Sequence, residues 1–427
     1  MNLLKMNSSI MSFCIYGLGS TGKSVAKYLK SKNFHNDKIW DDKKKTKTGK
    51  NIFLKYLDSC DYIVLSPGIN LKKSKLKKKL LRNKHKIITD LDLFYLFNPN
   101  IRSIVITGTN GKSTTCKILD HVLKKNRINV KLRGNICKPI LNLKLNNMPI
   151  VIIEASSFQL AYSKYIKPNY AAILNITRDH LDWHGTMKEY INSKLKIFSN
   201  QKSDDFAFLN NQNLIKKFKK NNYVSKLKYV KTKKYKRLQK KIKNNYLNSK
   251  ANKDNMNYIY EICAIFKIKN KNVVKSLKNF KGLNHRHEIF YKNHNKTFIN
   301  DSKATSFQSS KFALESNKNI FWIVGGQPKL GDKININEVK RNIVKAYIIG
   351  KNTKFFKKFL NRNIKHEVSS TMKNAVISIL KDIKKIKHKN LNILLSPASA
   401  SYDQYENFEE RGNQFKKIVL KYARKNF

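Results

Sequence analysis

The sequence predicts an α/β protein of three units, each alternating short buried strands with helices. Three observations carry this. An apolar run, Ile101 to Ile106, leads into a glycine-bearing turn, and then Ile118, Leu119, Val122 and Leu123 recur at helical spacing. A second strand, glycine turn and helix open the chain between Phe13 and Leu29. The last third alternates apolar runs with helical stretches, the pattern of a parallel sheet. At 427 residues the chain has room for about three domains of ordinary size.

The first unit, residues 1–98, reads as Rossmann-like. Phe13-Cys14-Ile15-Tyr16 is a strand, Gly17-Leu18-Gly19-Ser20-Thr21-Gly22 is the turn, and a helix follows from Ser24. Ile39-Trp40 ends a second strand at Asp41-Asp42. This is G-x-G-x-x-G in its proper setting: a pyrophosphate on a helix N-terminus and a ribose near an acid. A UDP group satisfies both demands as well as a nicotinamide dinucleotide does. A third strand, Tyr62 to Leu65, runs into Ser66-Pro67-Gly68-Ile69 at the same edge. The Lys-rich stretch 71–86 reads as an exposed helix, and the unit ends near Asn98-Pro99-Asn100.

The second unit, residues 99–282, reads as a P-loop ATPase-like domain with a mostly parallel sheet. The segment Thr107-Gly108-Thr109-Asn110-Gly111-Lys112-Ser113-Thr114 joins a strand to a helix. Its glycines let backbone N–H groups approach an anion, and the helix N-terminus adds partial positive charge. Lys112 can reach β- and γ-phosphates, and the Ser113 hydroxyl can bind Mg²⁺. The strict pattern wants Gly at position 106, which is Ile here, so the match is to a shorter form. Ile150 to Ile153 is a strand ending in Glu154, where a Mg²⁺ ligand is wanted. A further strand, Ala171 to Ile176, ends at Thr177-Arg178-Asp179-His180. By spacing His180 is either a metal ligand or a capping imidazole. Residues 187–198 form a helix carrying Lys194, and 211–253 read as short strands and loops. Asn252 to Phe266 and Val273 to Phe280 are helices.

The third unit, residues 283–427, is Rossmann-like α/β again, entered through Gly282-Leu283-Asn284-His285-Arg286. Strands at 297–300, 320–324, 346–349 and 392–395 each lead into a polar or glycine-bearing loop. Open α/β sheets bind ligands at such loops.

Composition narrows the function. The net charge is +62, and only 11 of the 89 basic residues are arginine. Lysine is spread through nearly every segment, so this is solvated surface and not the clustered Arg-and-aromatic patch of a nucleic-acid binder. The field favours anionic small ligands. Five cysteines without C-x-x-C spacing imply neither a disulfide framework nor a zinc site. No signal peptide is evident and no apolar run approaches the ~20 residues of a membrane span. The expected setting is the cytoplasm.

These motifs together resemble the Mur ligase family, in its D-glutamate-adding branch, over essentially the whole chain. The superfamily marks are Thr107 to Thr114, Gly134-Asn135, Glu154, Asn175 to His180 and His285-Arg286. The branch marks are Asn300-Asp301-Ser302-Lys303-Ala304-Thr305, Ser396 to Phe408, and Arg411-Gly412. The resemblance implies ATP-dependent joining of D-glutamate to UDP-N-acetylmuramoyl-L-alanine through an acyl phosphate, with Mg²⁺. The expected assembly is a monomer. It implies that Gly108 to Thr114, Asn252, Asn255, Arg286 and Asp301 hold ATP. Ser113 and Glu154 would bind one Mg²⁺, and His180 a second with Lys194, which matches the family's carbamylated lysine. Asn135 would touch phosphate or substrate, and Ser20, Thr21, Asp41, Asp42 and Ser66 would line the UDP site. Lys303, Thr305, Lys329, Ser401 and Phe408 match positions around D-glutamate. Ala251, Arg178, Ala155 and Ser399 depart from the family's usual residues, and none removes a group the chemistry needs. The rivals are a different amide ligase of the superfamily, such as a folylpolyglutamate synthase or a Mur ligase for another amino acid, a nicotinamide oxidoreductase using Gly17 to Gly22, and a non-enzymatic nucleotide-binding or nucleic-acid-binding protein.

Overall fold

The apolar runs become three sheets in the computed structural model. It describes residues 11–34, 38–44, 46, 48–135, 138–145, 147–231, 236–242, 244–248, 250–328, 336–360, 363–386 and 390–426. Strands β1 (Phe13–Tyr16), β2 (Lys38–Trp40), β3 (Tyr62–Leu65) and β4 (Ile87–Ile88) pair in the order β2-β1-β3-β4. All three pairings are parallel. Alternation along β1 feeds two apolar layers. Phe13 and Ile15 pack with Val25 and Leu29, while Cys14 and Tyr16 pack with Phe53 and Leu57. A parallel sheet needs both faces covered, which is why β1 is apolar throughout.

Strands β5 (Ser103–Thr107), β6 (Val130–Gly134), β7 (Ile150–Glu154), β8 (Tyr170–Ile173), β9 (Phe206–Leu209) and β10 (Lys226–Tyr229) form the second sheet. Their order is β10-β9-β8-β5-β7-β6, parallel throughout. One continuous apolar core runs from Phe13 and Ile15 through Leu91 and Phe94 to Val105, Ile153 and Leu195. The first two sheets accordingly share one compact unit, which takes the chain up to Asn244 and again Asn252–Phe280.

The second unit comprises Asn245–Ala251 and the chain from Lys281 onward. Its sheet holds β11 (Glu288–Asn293), β12 (Lys296–Asn300), β13 (Ile320–Gly325), β14 (Ile343–Ile349), β15 (His366–Ser370) and β16 (Leu391–Leu395). The order is β11-β12-β16-β13-β14-β15. β11 and β12 form an antiparallel hairpin, and the other pairings are parallel.

Local readings differ from the structure in four places. The stretch 71–86 is not one exposed helix: only Lys77–Arg82 is α-helical, and Leu71, Leu76 and Leu80 are buried on the first sheet. Part of 211–253 is helical where strands and loops were expected. Gln212–Lys220 is a helix because the Asn211 side chain accepts the N–H groups of Asn213 and Leu214, and Leu214 and Phe218 bury one face. β11 and β15 are edge strands with mixed polar sequence, so neither shows the apolar run that marks a central strand. Among the described residues no helix is long and apolar enough to cross a membrane.

Candidate active site

β5 delivers residues 108–111 between its C-terminal end and the helix Lys112–Lys125. Gly111 has φ +82°, and a Cβ there would stand 2.4 Å from Asn255 Oδ1, so the turn closes directly on the helix Lys250–Ile265. Asn255 in turn lies against Asn252, its Nδ2 donating to Asn252 Oδ1 at 3.4 Å. Asn175, just beyond β8, braces the loop. Its carbonyl accepts Thr109 N–H (2.9 Å), its Oδ1 accepts Asn110 N–H (2.8 Å), and its Nδ2 donates to Asn110 O (3.0 Å). Lys112 Nζ folds over the loop, donating to the carbonyls of Gly108 (2.9 Å) and Thr109 (2.7 Å). Ser113 and Thr114 are buried in the first helical turn. A cation, a helix N-terminus and a braced backbone turn form an anion cradle.

On the neighbouring strand, Glu154 ends β7 at 2% exposure. Asn135 Nδ2 donates to Glu154 Oε1 at 3.2 Å, and Glu154 Oε2 is buried without a hydrogen-bond partner among the described residues. An orphaned carboxylate oxygen is costly unless something positive or donating meets it. Gly134 (φ +108°) permits the close approach, since a Cβ there would stand 2.4 Å from Glu154 O.

Lys194 is the least expected member. It is 1% exposed, and its Nζ donates to Gly108 O (2.9 Å) and Thr107 Oγ1 (3.4 Å). Burial drives its amine well below the usual lysine range, and the charge of Lys112 pushes the same way, while Asp179 opposes both. His180 sits at φ +53°, its ring edge-on to Phe158 at 4.7 Å and its Nε2 3.3 Å from Asp179 Oδ2. His184 is a separate, buried histidine. Burial lowers its pKa to about 4, with the charges of His180 and Lys194 adding to the effect, and its Nε2 lies 3.0 Å from Ser157 Oγ.

The glycine turn of the first sheet is closed by its own acids. Asp41 accepts N–H groups of Leu18, Lys43 and Lys44. Burial raises its pKa, but those donors outweigh it and hold it below the usual range. Asp42 accepts from Tyr16 OH (2.7 Å) and Trp40 Nε1 (3.0 Å). Ser66 Oγ donates to Gly17 O at 2.8 Å. Ser20 and Thr21, with Pro67, Asp90, Gly134, Asn135, Pro139 and Gln159, line a cleft of about 180 Å³. This cleft brings the first glycine turn together with Asn135. Asp90 and Gln159 were not foreseen there. Gln159 Nε2 donates to both Asp90 oxygens, and burial lifts Asp90 to about 6. The Ser156–Gln159 capping box that orients Gln159 is legible as S-x-x-Q in the sequence.

In the second unit Asp301 follows β12, accepting His287 N–H (3.0 Å) and Ser396 Oγ–H (2.8 Å). Burial pushes its pKa up to about 7 against the pull of those donors and of Arg286. Arg286 itself is half-buried beside a short bridge to Leu283. Lys303 Nζ stands 3.5 Å over the Phe408 ring. Ser401 is buried, and its carbonyl accepts Tyr405 N–H at 2.9 Å. Thr305 is half-buried at the end of the loop after β12. Lys329 lies outside the described residues.

The chain is similar to known proteins over nearly its whole length. Residues 106–278 match the family described as the Mur ligase middle domain. A UDP-N-acetylmuramoylalanine–D-glutamate ligase of Rickettsia prowazekii (strain Madrid E) is 34% identical, over 95% of this chain and 96% of the relative. One from Francisella tularensis subsp. tularensis (strain SCHU S4 / Schu 4) is 31% identical, over 98% of each. Among solved structures, MurF from Acinetobacter baumannii superposes with a TM-score of 0.58 at 14% identity, over 97% of this chain and 92% of that one. MurF ligase from Thermotoga maritima, solved in complex with ADP, gives 0.55 at 15% identity over 97% of each. The structural likenesses speak for the fold.

Proposed function

This chain belongs to the Mur ligase family, in the branch of the UDP-N-acetylmuramoylalanine–D-glutamate ligases, and from that premise we propose how its residues divide the work. The activity is ATP-dependent ligation of D-glutamate to UDP-N-acetylmuramoyl-L-alanine in peptidoglycan synthesis. The observation that carries it is the extent of the likeness: similarity to D-glutamate-adding ligases covers 95% of the chain, not the ATP-binding part alone.

A carboxylate is a poor electrophile, so it must first be activated. The L-alanyl carboxylate oxygen attacks the γ-phosphorus of ATP and ADP leaves. The amine of D-glutamate then attacks the acyl carbon of the acyl phosphate, loses a proton, and phosphate leaves. Such transfer rests on positioning and charge neutralisation. Lys112 and the N–H groups of residues 108–114 hold the β/γ-phosphates, with Asn252 and Asn255 toward the adenine. Arg286 and Asp301 are assigned to the nucleotide on the sequence resemblance alone. Ser20, Thr21 and Ser66 line the UDP side. Asp41 and Asp42 act there by shaping the turn, since both carboxylates are engaged by protein donors. Asn135 meets phosphate or substrate at the cleft.

Mg²⁺ fits the residues present. Glu154 Oε2 is a buried oxygen without a partner among the described residues, and Ser113 brings a hydroxyl. Among the described residues no three His, Cys, Asp or Glu side chains gather as a preformed metal cluster. Mg²⁺ ordinarily completes its shell with waters and substrate phosphates. Bound there, it would offset the charge on the phosphates. Lys194 and His180 are assigned to a second ion. A buried, uncharged amine is the form that can take up CO₂ as a carbamate, which would turn Lys194 into an oxygen ligand. Lys303, Thr305, Lys329, Ser401 and Phe408 receive D-glutamate. The reading includes a cytoplasmic location and a monomer.

The test is phosphate release with UDP-N-acetylmuramoyl-L-alanine, ATP and a panel of amino acids. D-glutamate is expected to be the preferred acceptor, and equal rates with other amino acids would overturn the assignment.

A further inference from the structure

Arg411-Gly412 is a sequence mark with no part in the chemistry above, and the structure gives both residues a task. Arg411 is 1% exposed near the start of the helix Phe408–Asn426. Its Nε donates to Ser302 Oγ (3.0 Å), and its Nη2 donates to Ser302 O (2.9 Å) and Ser399 O (3.0 Å). Nη1 is buried without a hydrogen bond among the described residues, 3.2 Å from where a Cβ on Gly326 would stand. These partners belong to the loops after β12, β16 and β13, which lie side by side in the sheet. The last two loops are also tied to each other, through Gly325 N–H to Pro397 O (3.0 Å) and the reciprocal pair of Gln327 and Ala400 (2.8 and 2.9 Å).

Ser302 passes the constraint on. Its Oγ donates to Phe408 O at 2.8 Å, and Phe408 carries the Lys303 ammonium over its ring. Gly412 lets the helix come this close, because a Cβ there would stand 2.2 Å from His285 Nδ1. A buried guanidinium bonded only to a hydroxyl and carbonyls is an expensive way to join loops. Burial pulls its pKa down to about 10, although Tyr405 and Asp403 favour the charge. The planar fork is what lets one side chain reach two loops in fixed directions.

We propose that Arg411 is a positioning residue for the D-glutamate step. Its guanidinium fastens the loops after β12 and β16 beside Gly326, so that Lys303 and Phe408 stand ready for a dicarboxylic amino acid. This rests on the ligase reading above. Arg411→Lys keeps the charge and loses the fork. It is expected to raise KM for D-glutamate at least about tenfold, leaving KM for ATP and for the UDP substrate within about twofold. In Arg411→Ala, added guanidinium is expected to restore part of the D-glutamate affinity. Amide hydrogen exchange in residues 302–305 and 399–401 is expected to quicken in Arg411→Lys while β5 is unaffected. Should Arg411→Lys fail to fold, Ser302→Ala carries the same comparison, because it removes one acceptor of Arg411 and the donor to Phe408. A uniform rise in all three KM values, or unchanged D-glutamate KM with unchanged exchange, would overturn the proposal. Wild-type protein releasing no phosphate on D-glutamate addition would instead overturn the ligase reading, and the exchange comparison would still decide whether Arg411 fastens the loops.

Discussion

Lys194 stands apart from the other described lysines in being buried, at 1% exposure. Desolvation disfavours the ammonium, and Lys112 adds like-charge repulsion. The carbamate assignment predicts that Lys194→Ala loses ligase activity and regains part of it with short carboxylic acids that replace the missing oxygen ligand. Lack of rescue at every acid concentration would count against it. Nothing local in Ser193-Lys194-Leu195 distinguishes this lysine, since its burial comes from packing against β5 and the Tyr190 ring. Glu154 was easier to find. A carboxylate at the tip of an apolar strand is visible in sequence, although an oxygen without a hydrogen-bond partner among the described residues is not. Asn175 and Arg411 lie in between: both stand in motif positions, but only their hydrogen bonds reveal that one braces the turn at Thr109 and Asn110 and the other binds Ser302 and Ser399.

At the level of elements, the strand ends decide the site. β6 and β7 pair in parallel with Gly134 opposite Glu154, and this register sets Asn135 beside the carboxylate. Gly134→Ala would force a side chain into φ +108° and against a carbonyl 2.4 Å away. A loss of stability of about 2 kcal/mol or more is expected by chemical denaturation, with a fall in ligase activity beyond that of an exposed control substitution. Buried central strands were legible because parallel sheets make them apolar on both faces. The edge strands β11 and β15 were not, since a strand with one free side tolerates polar residues. Residues 71–86 misled for a related reason: lysines set the composition, while three spaced leucines set the conformation.

Over the whole molecule, 89 basic against 27 acidic residues place anionic substrates in an attractive field. Screening shortens that field to a Debye length of about 8 Å at physiological salt. KM for both nucleotide substrates is therefore expected to rise several-fold between about 20 and about 200 mM KCl, with kcat changing far less. Salt-independent KM values would show that local contacts alone set affinity.

The order of α/β units, the two glycine turns, Lys112 at the head of its helix and the strand-end acids were determined by the sequence itself. Each depends on local pattern: period, turn chemistry and the residue at a strand tip. Tertiary structure alone decided which groups lose their water and which meet. It buried Lys194 and Glu154, engaged Asp41 and Asp42 with their own turn, and joined the first glycine turn and Asn135 in one cleft. It also drew Arg411 between loops about a hundred residues apart in the chain. Desolvation and long-range approach arise from packing, and packing has no fixed spacing along a chain.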